Sequence, residues 1–71
     1  MASNISAHIT GTVWKIETAL GASVEVGDTV VILESMKMEM PVEAEVAGRV
    51  AQICCTEGQA VQEGQVLIVL D

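Results

Sequence analysis

Apolar and polar positions alternate at two places in the chain, and the two places correspond. Ile5, Ala7 and Ile9 alternate with polar neighbours, and so do Val42, Ala44 and Val46. A period of two is the mark of a strand with one face buried. Superposing the chain on itself with an offset of 37 residues lays residues 11–33 on 48–70 without a gap. All six glycines then fall in register: Gly11 with Gly48, Gly21 with Gly58, Gly27 with Gly64. Val13 meets Val50, Ile16 meets Ile53, Val24 meets Val61 and Leu33 meets Leu70. An internal repeat of this kind outranks local propensity as a guide to architecture.

Each copy predicts the same elements. After the alternating strand, a glycine opens a short second strand, residues 11–17 or 48–54. A turn region follows, residues 19–28 or 56–65, with paired glycines for positive φ or close backbone approach. A nearly continuous apolar run closes each copy: Val30-Val31-Ile32-Leu33 and Val66-Leu67-Ile68-Val69-Leu70. Such runs suit strands covered on both faces. The expectation is an all-β fold, a flattened barrel or sandwich of about eight short strands with a pseudo-twofold axis. It forms one domain over residues 1–71, with repeats at about 4–34 and 41–71 joined by a hairpin at 34–39. A helix over residues 32–40 is the competitor, since Leu, Glu, Met and Lys favour helix. Pro41, the alternation Met38, Met40, Val42 and the repeat itself favour strands.

Composition agrees with a strand-built core. The chain has 71 residues, one Trp, no Phe and no Tyr, and Val, Ile, Leu and Ala must fill its interior. A formal charge of −7 with three basic side chains, Lys15, Lys37 and Arg49, excludes nucleic-acid binding through phosphates and attraction to anionic membranes. The acidity either keeps the domain in solution or complements a basic partner. No apolar stretch approaches the ~20 residues of a membrane span. No signal peptide is recognised, and a cytoplasmic location is expected. Cys54 and Cys55 are adjacent, so on a strand they face opposite ways and cannot share a metal as a CxxC pair does. One packed thiol and one surface thiol are expected. His8 aligns with Glu45 on an outward position, and Trp14, aligned with Ala51, is read as packing. Neither His8 nor any other group forms a nucleophile–base pair, so an enzyme is not expected.

The repeat demands a tight reversal at Glu34-Ser35-Met36-Lys37-Met38-Glu39. Two-residue hairpin turns favour Asn-Gly or Asp-Gly, because both central residues need φ > 0. Met-Lys there costs about 1–2 kcal/mol of backbone strain and exposes large apolar side chains at the tip. Lys37 must therefore project from a fixed perch, between thioethers that adapt to whatever docks on them.

This Glu-Ser-Met-Lys-Met-Glu segment resembles the attachment motif of biotinyl domains, usually Ala-Met-Lys-Met. The resemblance covers the whole chain, with Ser35 in place of the usual Ala and no proline before Gly11. It is closest to the stand-alone biotin/lipoyl attachment proteins and to the carrier domains of acyl-CoA and pyruvate carboxylases. The gap-free repeat leaves no room for the protruding "thumb" loop of some acetyl-CoA carboxylase carriers. The resemblance implies that biotin protein ligase acylates Lys37, with Met36 and Met38 shaping both that contact and the resting position of the biotin. Glu34, Ser35 and Glu39 would take part in ligase recognition; as bare residues, Glu34 and Glu39 read first as solubilising charge. The biotinylated arm, on the order of 14 Å from Cα to ring, would carry carboxyl groups between a biotin carboxylase and a carboxyltransferase. The isolated domain is expected to be a monomer. Two alternatives stay open: a lipoyl carrier of the same fold, although lipoyl domains usually present Asp-Lys-Ala, and an interaction module whose lysine is never modified.

Overall fold

The computed structural model describes residues 3–71. Its eight strands are β1 (Ser3–Ser6), β2 (Gly11–Ile16), β3 (Ser23–Val24), β4 (Thr29–Ser35), β5 (Met38–Glu43), β6 (Gly48–Ile53), β7 (Ala60–Val61) and β8 (Val66–Leu70). They form two four-stranded sheets, ordered β1-β8-β6-β3 and β5-β4-β2-β7. The 37-residue offset converts the first order into the second, strand for strand. Each sheet therefore takes two strands from each half of the chain. The region 32–40 is two strands and a turn, not a helix.

The core obeys the same symmetry. Its fifteen buried residues are seven offset pairs, such as Val13 with Val50 and Leu33 with Leu70, together with Cys55. A fully buried Val, Leu or Ile contributes about 1.5–3 kcal/mol, so many small apolar contacts replace aromatic bulk. Backbone bonds between the halves repeat as well. The Gly21 N–H donates to the Val50 carbonyl at 2.8 Å, and the Gly58 N–H to the Val13 carbonyl at 2.7 Å. The turn glycines Gly27 and Gly64 have φ of 93° and 89°, which a side chain would strain. Close to each, a side-chain oxygen accepts a backbone bond: Asp28 from the Glu25 N–H, Gln65 from the Gln62 N–H.

Three expectations are corrected. The apolar runs are not covered on both faces. The β4–β5 register skips Val30 and the β1–β8 register skips Leu67, so each run contains a bulge. The bulge turns two successive residues inward, Val30–Val31 and Leu67–Ile68, and leaves Ile32 and Val69 half-exposed on the outer faces. The alternating strands are also shorter than their pattern. Pairing ends at Ser6 and Glu43; Ala7 and Ala44 stay buried, but Ile9 is half-buried and Val46 is 43% exposed. Finally, Trp14 does not pack inside. It is the extra residue of a bulge in β2, skipped between the pairs Val13–Leu33 and Lys15–Ile32, and is 47% exposed. Ala51 occupies the matching bulge in β6. The two-residue strands β3 and β7 lie inside segments that the sequence marks only as turns.

Candidate functional site: the hairpin tip at Lys37

The β4–β5 ladder runs to the end of both strands, pairing Leu33 with Met40, Glu34 with Glu39 and Ser35 with Met38. Only Met36 and Lys37 remain to reverse the chain. Their φ angles are 53° and 65°, and they are the only non-glycine residues with positive φ among those described. Both central positions are thus left-handed, as a two-residue hairpin turn requires, without the residues that adopt that conformation freely. The full ladder behind the turn holds them there. A left-handed residue with a Cβ costs about 1 kcal/mol or more, so the tip is strained, exposed and fixed in direction.

The side chains follow from that geometry. Lys37 is exposed, and its ammonium enters no ion pair or hydrogen bond among the described residues; the one ion pair is Lys15 with Glu17 at 3.6 Å. Met36 is 92% exposed and Met38 60% exposed, so two thioethers stand free beside the amine. Ser35 is half-buried at the root of the turn. Glu34 and Glu39 are exposed and directly opposed on one face of the ladder. Like charges so placed repel, and no basic side chain sits across from them, since Glu34 pairs on its other side with Thr12. The acidic pair is a stability cost next to the lysine and an attractive field for a basic partner.

The sequence missed Gly11. Its ideal Cβ would lie 2.6 Å from the Glu34 carbonyl oxygen, so only glycine lets β2 approach the base of the hairpin. The glycine register was the available signal, but it does not say which neighbour presses on the backbone. The other singled-out residues lie away from the tip or are inert. His8 is exposed, Cys54 is exposed and Cys55 is buried. Burial pushes the Cys55 thiol above its ordinary value of 9.0, with Cys54 adding to the effect. No group of three or more His, Cys, Asp or Glu residues capable of holding a metal exists among the described residues. No helix is long and apolar enough to cross a membrane.

Comparison with known proteins identifies the family of the chain as a whole. The biotin/lipoyl family model, described as "Biotin-requiring enzyme", matches residues 1–70. A biotin/lipoyl attachment protein of Bacillus subtilis is 42% identical over 66 residues, covering 93% of this chain and 90% of the relative. A biotinylated protein of Mycobacterium leprae, the TB7.3 homolog, is 39% identical over 70 residues and 99% of each chain. Among solved structures, the Kluyveromyces lactis urea carboxylase superposes with a TM-score of 0.93 at 38% identity, over 100% of this chain and 6% of that one. By sequence and by fold, the chain belongs to the biotin/lipoyl attachment family of biotin-requiring enzymes.

Proposed function

We propose that residues 1–71 are a single biotin carboxyl carrier domain with biotin joined to Lys37 as an amide. One observation carries this reading: the lysine is the second residue of a strained two-residue turn, exposed, unpaired and bracketed by free methionines. The residues present fit such a group. An amine held out from the sheet by the turn, with no carboxylate to hold it back, is open to acylation by an enzyme. The two thioethers offer an apolar, adaptable surface to the ligase that does so, while Glu34, Ser35 and Glu39 define the approach. Acylation removes one of three positive charges in a chain already at −7. Once attached, biotin supplies a ureido nitrogen that accepts and releases a carboxyl group. The chain's own part is tethering: the rigid perch and flexible arm raise the local concentration at two partner sites in turn.

The partners this implies are biotin protein ligase, a biotin carboxylase and a carboxyltransferase acting on an acyl-CoA or a keto acid. The domain itself is monomeric and works in the cytoplasm, a compartment compatible with its two free thiols. The test is co-expression with an active biotin ligase, followed by avidin blotting and intact-mass analysis. The expected result is a mass gain of one biotinyl group, abolished by Lys37→Arg. A lipoyl-sized gain would transfer the chain to the lipoate carriers. Labelling that survives Lys37→Arg would remove Lys37 as the site, and no labelling at all would favour the unmodified interaction module.

A further inference from the structure

The repeat provides an internal control, because each position on one sheet has a twin on the other. On the outer face of the sheet that ends in the Lys37 hairpin, Ile32 lies between Pro41 on β5 and Lys15 on β2, with Trp14 bulged out beside Lys15. Leu33, its neighbour along β4, is fully buried, so Ile32 points outward. Trp14 is 47% exposed, Pro41 is exposed and Ile32 half-exposed. The twin row on the other sheet is Asn4, Val69, Gln52 and Ala51. The apolar strip with the chain's one tryptophan is therefore confined to the sheet that carries the lysine. Nothing in packing the core calls for this asymmetry.

We propose that the strip Trp14–Ile32–Pro41, with Lys15 at its side, is the resting site of the biotin ring carried by Lys37. This rests on the carrier reading above. The span needs an extended arm: Trp14 lies level with the interval between Leu33 and Ile32, about 15 Å back from Lys37 at ~3.3 Å per residue and one strand spacing of about 4.8 Å to the side, about 16 Å in all. The biotinyl-lysine arm reaches on the order of 14 Å from Cα to ring. The chemistry fits. The neutral arm passes the opposed Glu34 and Glu39, which share this outer face nearer the tip, and its ring then meets Ile32, Pro41 and the indole face. The Lys15 ammonium, 56% exposed and held only by Glu17 at 3.6 Å, can donate to the ureido carbonyl oxygen. Resting there shields the ring between visits to partner sites, and docking elsewhere only has to exceed a weak local contact.

The single tryptophan, in a chain without Tyr or Phe, makes the test direct. Apo protein and protein carrying one biotin by intact mass are compared by acrylamide quenching of Trp14 and by NMR. Occupancy for half of the time is expected to lower the quenching constant about twofold, shift the indole N–H resonance and give contacts between indole and biotin-ring protons. Biotinylated Ile32→Asn and Pro41→Ser proteins should lose the protection, and free biotin added to Lys37→Arg should produce none. Biotinylated protein whose Trp14 quenches and resonates as in the apo form overturns the resting site and leaves the carrier reading standing. Absence of any mass gain overturns both.

Discussion

Met36 and Lys37 occupy left-handed backbone positions that Asn and Gly would take without strain. The turn is therefore strained, and the strain can be relieved at one residue. Met36→Asn should raise stability by about 0.5–1 kcal/mol in urea unfolding, and slow ligase-catalysed biotin incorporation because one thioether is gone. A variant that is no more stable, or that is biotinylated at the original rate, would separate the turn strain from the function assigned to it. That strain is also why the candidate site stood out in the sequence: a repeat forces a reversal at a place where local chemistry opposes one. What the sequence could not show was Gly11 beneath Glu34, or Trp14 outside the core, because both depend on distances across strands. Cys55 adds a pH dependence of definite sign. Its folded-state pKa lies above 9.0 through burial first and Cys54 second, so the protonated thiol is the form the fold prefers. Its contribution is complete below pH 9 and is lost as pH rises through the folded value. Unfolding midpoints measured from pH 7 upward should fall more steeply above pH 9 for the wild type than for Cys55→Val.

At the scale of elements, the bulges decide which apolar residues reach the core. Val30 and Leu67 are each the extra residue in their ladder, as are Trp14 and Ala51, and both pairs obey the 37-residue offset. Strand existence was readable from glycine register and apolar runs, whereas facing was not. A continuous run such as Val30–Leu33 gives no period from which to choose a face, and a bulge leaves no local mark in an apolar sequence. The strands β3 and β7 escaped for a different reason: two residues are too few to show alternation. Symmetry of the elements has an energetic counterpart. Leu33 and Leu70 are twins on β4 and β8, exposed by 0% and 1%. Leu33→Ala and Leu70→Ala should each cost about 2–5 kcal/mol, and similar amounts, in denaturant titrations. Costs far apart would mean that the two ends of the core relax differently despite their matching backbone.

For the whole molecule, the decisive fact is that neither half owns a sheet. β5 finds its only partner in β4 and β7 finds its only partner in β2, both from the other half, while β1 and β3 depend on β8 and β6. A peptide of residues 38–71 would keep the β6–β8 pair but leave β5 and β7 unpaired and half the core uncovered. Chains below about 40 residues seldom fold alone without disulfides or metals, and here both thiols are free. The intact chain should therefore unfold in one cooperative step, with Trp14 fluorescence and far-ultraviolet circular dichroism tracing the same transition. Peptides 1–37 and 38–71 should each be unstructured, yet recover the β spectrum when mixed, because the break falls in the two-residue turn and every ladder survives it. The recovered complex should then unfold at a midpoint that rises with peptide concentration. A half that folds by itself would show the repeat to be two docked units, and the perch under Lys37 would no longer depend on the whole chain.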